Sequence, residues 1–303
     1  AEEFGNDSSN FRKGRSNYLI IEADEYARSF LNYRADIAVV TNIDEEHLDI
    51  YKNKTAIISA FKKFLTGSKP GALFILNNDN PDVLALGLAL SKLKKYKDRI
   101  RWFSLRNAAV EEIKHKIQIP GIHNISNALA AYSVGNALHI PKETILQAIS
   151  DYEGSWRRFE FKGTLNGARV FDDYAHHPTE IKATLQAARE RYPKSRIWCV
   201  FQPHQQDRLH NLFDLFTASF DDAHEVVLLD PYEVPGREKS SSKNAEHSSF
   251  RLASAIDSRL RNNVYYISYA SQMPDFLSRY VGMRDIVIMM GAGDIWKLTE
   301  KLI

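Results

Sequence analysis

The chain has 303 residues, 44% of them hydrophobic, which is enough for two α/β domains of about 150 residues each. Lys and Arg (40) nearly balance Asp and Glu (38), and the net charge of +2 gives no electrostatic case for a nucleic acid or an acidic membrane as partner. No apolar run approaches the roughly 20 residues that cross a bilayer, and the first residues do not resemble a signal peptide, so we expect a cytoplasmic protein.

Apolar runs typical of strands alternate with helical patterns, which predicts βαβ units and a largely parallel sheet. These runs are residues 18–21, 37–41, 72–77, 169–171, 197–201, 226–229, 264–268 and 286–290. A helical pattern ends at Ser150, and glycine and aromatic residues follow it before a new set of strands begins. We therefore predict two α/β domains, residues 1–153 and 154–303.

Acidic clusters follow the first two apolar runs. Glu22 lies in EADEY (residues 22–26), and His47 lies among carboxylates in TNIDEEHLDIY (residues 41–51). Carboxylates with one imidazole suit Mg²⁺ or Mn²⁺, which keep several waters and bridge to phosphates. Each cluster alone is typical of a solvated loop. Taken together, the two clusters are equally consistent with solvated loops and with a metal site.

The segment GIHNISNALAA (residues 121–131) predicts a turn that runs into an amphipathic helix. Asn124 and Asn127 are three residues apart on its first turn, next to His123. Amide side chains can donate and accept together, which suits the edge of a purine, although helix capping is the more ordinary role of such residues.

The densest group of ionisable side chains is FDDYAHHPTE, residues 171–180. Pro178 suits the first position of a helix, so the cluster lies between a strand and a helix. In open α/β sheets this carboxyl edge of the strands is where ligands bind. Asp173, Tyr174 and His176 are therefore candidates for a substrate site.

Three further segments contain candidates of lower specificity. Arg158 could bind a phosphate, although Arg157 and Arg158 together are more typical of a surface salt-bridge pair. His204 and Arg208 follow the apolar run at 197–201, where an anion site and an ordinary polar loop are both reasonable. GAGDI (residues 291–295) is a glycine-rich turn after a strand and only a weak phosphate motif.

In this order, EADEY, TNIDEEHLDIY, GIHNISNALAA, RRFEFKG, DDYAHHPTE, FQPHQQDRLHNLF and GAGDI resemble the Mur ligases of bacterial cell-wall synthesis. The resemblance extends from residue 22 to residue 295. It implies a partial central ATPase domain, with a mostly parallel sheet and helices, followed by a Rossmann-like C-terminal domain. It also implies an ATP-dependent ligase, in which a muramate carboxylate becomes an acyl phosphate that an amine then attacks.

The resemblance also implies roles for single residues. Glu22 and His47 match the magnesium ligands, with Mn²⁺ as an alternative metal. The residues that match nucleotide contacts are His123, Asn124, Asn127, Arg158 and Asp173. Those that match groups facing the muramoyl and amino-acid moieties are Tyr174, His176, His204 and Arg208. Within both sets, the catalytic candidates are Arg158, Asp173, His176 and His204.

Several alternatives stay open. TNIDEEHLDIY favours the branch that joins L-alanine to UDP-N-acetylmuramate over the muramyl-peptide recycling branch, which shares the DD-aromatic-Ala-HHP pattern. The family's UDP-sugar domain and glycine-rich phosphate loop would precede Ala1, so we expect these 303 residues alone to lack ligase activity. A non-catalytic remnant that binds nucleotide or substrate is therefore an alternative. A metal-dependent hydrolase built on Asp172, Asp173, His176 and His177 is less favoured, because Pro178 ends this cluster without the His-x₃-His helical spacing of such sites. The oligomeric state is open.

Overall fold

The computed structural model describes residues 14–45, 48–204, 206–232, 248–260 and 263–303. These residues form two compact units. The N-terminal unit contains the described residues up to Gln118 together with His123–Tyr152. The C-terminal unit contains Ile119–Ile122 and the described part of Glu153–Ile303. Both units are α/β, which confirms the predicted fold class.

The N-terminal unit is built on a sheet of three parallel strands in the order β1-β2-β3. The strands are β1 (Ile37–Val40), β2 (Leu73–Asn77) and β3 (Ile100–Phe103). The helices are α1 (Leu48–Tyr51), α2 (Lys54–Gly67), α3 (Pro81–Ser91), α4 (Val110–Lys116), α5 (Ile122–Ala137) and α6 (Lys142–Ser150), and short 3₁₀ turns span Tyr26–Asn32 and Lys97–Arg99.

Helices cover both faces of this sheet because successive residues of a strand point to opposite sides. Phe74 and Leu76 of β2 pack with Ile57 of α2 in one core, whereas Ile75 packs with Leu129 of α5 in the other. A central strand covered on both faces is expected to be mostly apolar, and β2 is apolar up to Asn77, its last residue.

The C-terminal unit contains a six-stranded sheet in the order β4-β5-β9-β6-β7-β8. Its strands are β4 (Glu160–Leu165), β5 (Ala168–Asp173), β6 (Ile197–Phe201), β7 (Glu225–Leu229), β8 (Val264–Ile267) and β9 (Ile286–Met290). Only the β4–β5 pair is antiparallel. The helices are α7 (Pro178–Arg191), α8 (Gln206–Asn211), α9 (Phe213–Thr217), α10 (Ser249–Leu260), α11 (Met273–Tyr280) and α12 (Trp296–Thr299), with a 3₁₀ turn at Ala270–Gln272.

Every residue of β6, β7 and β9 is buried, so these strands form the centre of the C-terminal unit. Cys199 packs in the core that faces α7 and α10, and its neighbour Trp198 packs in the core that faces α11. The two cores hold the central strands in register, and this register fixes where each strand ends.

The predicted strand at residues 18–21 is wrong. This run has no regular structure, and Ile20 is 92% exposed. An apolar sequence alone does not make a strand, because a strand also needs a neighbour for its backbone hydrogen bonds, and the described residues provide none for this run. Strands β3 and β4 were not predicted. None of the helices in the described ranges is long and apolar enough to span a membrane.

Candidate active site

The carboxyl ends of β5, β9 and β6 lie side by side. Asp173 pairs with Met290, and Met290 also pairs with Phe201. Because these strands are parallel, the segments that follow them meet at one edge of the sheet. Four residues with roles implied by the sequence lie at the end of β5 or on these segments: Asp173, Tyr174, His176 and His204.

Arg157 is a structural residue of this edge. Only 2% of its side chain is exposed, and its Nε donates to Asp172 Oδ1 at 2.8 Å. Its other nitrogens donate to the carbonyl oxygens of Gly291 and Gly293 in the loop after β9. Burial raises the pKa of Asp172, against the opposing effect of Arg157. The interpretation of Arg157 and Arg158 as a surface pair is therefore wrong for Arg157.

The Asp173 carboxylate connects two backbone segments. Its Oδ1 accepts from the N–H of Ala175 and its Oδ2 from the N–H of Phe159, both at 2.8 Å. Its side chain is buried, and this burial raises its pKa to about 6 despite these two bonds and the charge of Arg158. Asp173 thus fixes the turn after β5 relative to the segment before β4.

Arg158 is oriented by two contacts and still reaches solvent. Its Nη1 lies 3.4 Å from Glu180 Oε1, and its guanidinium lies 5.6 Å from the centre of the Tyr174 ring. Its side chain is 51% exposed. A half-exposed guanidinium held in this way is suited to phosphate oxygens, which it can contact through two donors.

Four aromatic rings form a row along the carboxyl edge. Tyr174 and His176 meet edge to face with ring centres 5.2 Å apart, and His176 meets His204 in the same manner at 6.1 Å. The ring of His204 lies nearly parallel to that of Tyr232 at 5.8 Å. Arg208 is half-buried on α8, the helix that follows β6. The row thus joins the ends of β5, β6 and β7.

Glu180 lies at the start of α7 and binds the turn before it. Its Oε2 accepts from the N–H groups of His176 at 3.0 Å and His177 at 3.2 Å. His177 Nδ1 in turn accepts from the N–H of Thr179, which completes a capping box. Burial raises the pKa of Glu180, but His176, Arg158 and the two N–H groups outweigh it and hold the pKa below its usual range.

Sequence reasoning missed Glu180 and Tyr232 as members of this region. Glu180 ends the DDYAHHPTE motif and lies three residues after His177, the spacing of a capping box. Tyr232 follows β7 closely, just as Tyr174 follows β5. Both positions were therefore detectable from their place relative to a predicted element.

The N-terminal unit contains the other predicted residues. Glu22 is exposed in a segment without regular structure, and His47 lies outside the described residues. His123, Asn124 and Asn127 all lie within the first turns of α5, Asn127 being the exposed one. Neither Asn precedes the helix, so neither occupies the capping position.

Two of the described residues are accessible to the nucleotide and metal that the resemblance implies. No hydrogen bond to Glu22 is formed within the described ranges, so its exposed carboxylate can serve a hard cation. Arg158 offers accessible donors to a phosphate. In the part of the chain that the structure covers, no three His, Cys, Asp or Glu side chains cluster tightly enough to hold a metal ion.

The hydrolase alternative finds no support in this geometry. Asp172 is bonded to Arg157, and Asp173 is bonded to two backbone N–H groups. His177 caps α7 through its Nδ1. These side chains therefore have structural partners where a metal site would need open ligands.

Comparisons with known proteins agree with the architecture. The sequence profile of the Mur ligase middle domain matches residues 5–135, and that of the Mur ligase glutamate ligase domain matches residues 157–293. The UDP-N-acetylmuramate–L-alanine ligase of Salinibacter ruber is 36% identical over 97% of this chain and 64% of its own length. The ligase of that name from Desulforamulus reducens is 35% identical over 99% of this chain and 68% of its own.

A solved structure supports the fold. The crystal structure of the UDP-N-acetylmuramate–alanine ligase of Thermotoga maritima has a TM-score of 0.68 and 21% identity, and the match covers 91% of this chain and 60% of that one. The chain thus spans somewhat less than two thirds of the length of the first of these relatives. Two domain profiles matched in chain order, and relatives aligned over nearly all of its residues, show that this chain belongs to the Mur ligase family.

Proposed function

We propose that the chain forms the middle and C-terminal parts of an ATP-dependent ligase that joins L-alanine to UDP-N-acetylmuramate in peptidoglycan synthesis. The observation that carries this proposal is the match, at 35–39% identity over 97–99% of the chain, to four proteins named UDP-N-acetylmuramate–L-alanine ligase. We propose the cytoplasm as its location.

The proposed reaction activates a carboxylate and then forms an amide. ATP phosphorylates the muramate carboxylate, and the amine of L-alanine displaces phosphate from the acyl phosphate. Positioning and charge neutralisation provide most of the catalysis of phosphoryl transfer. Arg158 is the proposed cation for the phosphate oxygens, because it is both oriented and accessible. Asp173 keeps the neighbouring backbone in place for it.

The remaining proposed roles follow the family resemblance. Tyr174, His176, His204 and Arg208 are proposed to face the muramoyl and alanine moieties. Asn127, with His123 and Asn124, is proposed to contact the nucleotide base. Glu22 and His47 are proposed to hold Mg²⁺ or Mn²⁺, which when bound would neutralise phosphate charge.

The test is an activity panel on the native gene product with ATP, Mg²⁺ and UDP-N-acetylmuramate. ADP release that depends on L-alanine supports the proposal, and Arg158→Ala should reduce it on the order of 100-fold if the guanidinium stabilises the transferred phosphoryl group. Turnover with the muramyl tripeptide in place of L-alanine would instead support the recycling ligase. Nucleotide or substrate binding without any turnover would support the non-catalytic alternative.

A further inference from the structure

The imidazole of His224 lies at the amino edge of the C-terminal sheet, directly before β7. Two hydrogen bonds join this residue to Ile197, the first residue of β6. The N–H of His224 donates to the carbonyl oxygen of Ile197 at 2.9 Å, and the N–H of Ile197 donates to His224 Nδ1 at 2.8 Å. Because Nδ1 accepts a hydrogen bond, the proton of the neutral imidazole belongs on Nε2.

The other nitrogen of this ring faces a second donor. Arg189, near the end of α7, places its Nη1 2.6 Å from His224 Nε2. A guanidinium nitrogen can only donate a hydrogen bond, and Nε2 carries the imidazole proton. The alternative tautomer moves the conflict to Ile197, whose N–H would then meet a proton on Nδ1. In either tautomer, one of the two donors therefore lacks an acceptor.

Arg189 also lacks a counter-charge. Within the described ranges it forms no ion pair with a carboxylate, and its hydrogen-bond contact is the one with His224. The nearby Arg196 is paired, by contrast, with Asp285 at 2.7 Å and with Glu225 at 3.7 Å. Arg189 and His224 are both half-buried and still reach solvent, so a small ion can approach them. These two donors thus need an acceptor that carries negative charge.

The charges around the ring also favour an anion. Burial lowers the pKa of His224, and the charges of Arg189 and Arg196 lower it further, against the opposing effect of Asp285. These charged groups face the ring from α7, from the segment before β6 and from the segment before β9. Asp285 is already bonded to Arg196. The positive charge of Arg189 therefore remains unbalanced beside the imidazole.

We propose that Arg189 and His224 bind one phosphate group at the amino edge of the C-terminal sheet. The guanidinium moves outwards on its flexible side chain, and the phosphate accepts from both the guanidinium and His224 Nε2, which removes the conflict between the two donors. Phosphate suits this pair, because Arg can donate to two of its oxygens and a tetrahedral group has another oxygen for the imidazole.

This site is separate from the candidate active site. It lies at Ile197, where β6 begins, whereas the candidate active site lies beyond Phe201, where β6 ends. The two ends of this strand are about 13 Å apart. The proposed phosphate site therefore does not depend on the proposed ligase function, and either can fail without the other.

Binding can be followed at the ring itself by NMR of the 303-residue chain labelled with ¹³C-histidine. The His224 signal is assigned with His224→Gln. At constant ionic strength, inorganic phosphate in place of chloride should raise the pKa of His224, because a nearby anion favours the imidazolium. Equal pKa values in phosphate and chloride would overturn the proposal. This wild-type titration decides the question even if a variant folds poorly.

Two arginine variants of α7 form a matched pair. Arg189→Gln should weaken phosphate binding about 10-fold or more, because charge-assisted hydrogen bonds are lost. Arg191→Gln removes the same charge from an exposed residue two positions further on, which points away from Arg189, and it should bind phosphate like the wild type. Equal weakening in both variants would mean that phosphate responds only to net charge, and it would overturn the proposal.

Further measurements identify the ligand and its place. Arg158→Ala should leave the response of the His224 signal unchanged, because Arg158 lies at the carboxyl edge of the sheet. Loss of the response in this variant would place the phosphate there and contradict the proposal. A response to inorganic phosphate identifies the free ion as the ligand, and a response to uridine monophosphate alone identifies a phosphate monoester. A larger response to acetate than to either would overturn the assignment to phosphate.

Discussion

Arg157 and Asp172 form an ion pair that is almost completely removed from solvent, with 2% and 1% of their side chains exposed and a nitrogen–oxygen distance of 2.8 Å. Arg158, the next residue, is half exposed. Arg157 has a positive φ of 56°, and so does Phe159 at 52°. The two adjacent arginines therefore have different roles, as their exposure shows. Arg157 is part of a buried ion pair, whereas Arg158 is accessible at the proposed nucleotide site.

Arg157→Ala should destabilise the C-terminal unit by about 3–5 kcal/mol, because it leaves the Asp172 carboxylate buried without its cation. The loop after β9 would also lose its two hydrogen bonds from the guanidinium. Urea denaturation followed by tryptophan fluorescence measures this change. Arg158→Ala is the matched control, and it should alter the free energy of unfolding by less than about 1 kcal/mol. Equal losses for both variants would contradict the division of tasks.

Because of Asp173, we expect the free energy of unfolding of the C-terminal unit to decrease as the pH rises. Its folded pKa is about 6, above the ordinary value of 3.8, so the folded state holds a proton that the unfolded state has already lost. The contribution of Asp173 to the free energy of unfolding, up to about 3 kcal/mol, is therefore fully present below about pH 4. It is lost as the pH rises through 6. Urea denaturation between pH 4 and pH 7 should show a steeper decline for the wild type than for Asp173→Asn. Parallel curves would contradict the raised pKa.

Asp285 should behave in the opposite way. Burial raises its pKa, but hydrogen bonds from Arg196 at 2.7 Å, Gly282 and Trp198 outweigh this and hold the pKa below 3.8. Its contribution is therefore present above pH 4 and lost as the pH falls through the folded pKa. Asp285→Asn should cost about 1–2 kcal/mol at pH 7.

That cost should begin to shrink below about pH 4 and should vanish as the pH falls through the folded pKa, where the folded wild-type carboxylate also takes up its proton. Trp198 donates to the same carboxylate, so its fluorescence provides a local measurement of the variant. A difference between variant and wild type that stays constant down to pH 3 would show that the charge of Asp285 contributes nothing.

Gly291 should not tolerate a side chain. Its φ is +147°, and a Cβ there would lie 2.6 Å from the carbonyl oxygen of Gln202, a backbone atom that cannot easily move. Gly291→Ala should therefore cost about 2–3 kcal/mol in thermal or urea denaturation. Gly282→Ala is the matched control, because nothing lies within 4 Å of its added Cβ. It should be neutral or slightly stabilising, and a similar loss in both would contradict the steric argument.

The sequence was most informative where strands are buried on both faces. Apolar runs predicted β6, β7 and β9 nearly residue for residue, because central parallel strands have no polar face. Strand β4 escaped detection because it is an antiparallel edge strand with half-exposed residues and an irregularity at Gly163. The run at residues 18–21 was wrongly predicted to be a strand, because an apolar run does not reveal whether a neighbouring strand exists to pair with it.

The candidate site was predictable in its location and less so in its contacts. The position of polar residues after β5 and β6 follows from strand ends alone, whereas the burial of Arg157 depends on carbonyl oxygens 134 and 136 residues away in sequence. The contacts of His176 Nδ1 with the Tyr174 carbonyl oxygen and with Glu180 likewise depend on the path of the turn, which no residue pattern specifies. The residue roles implied by the family resemblance stay predictions.

The place of β9 in the sheet has a consequence for how the C-terminal unit is made. This strand lies between β5 and β6, yet it follows all the other strands of the sheet in sequence. A ribosome therefore delivers the other five strands before their central member exists, and until then β5 has no parallel neighbour. We therefore expect Asp173 and His204 to be brought to one edge of the sheet only after β9 has been synthesised and has paired with both β5 and β6.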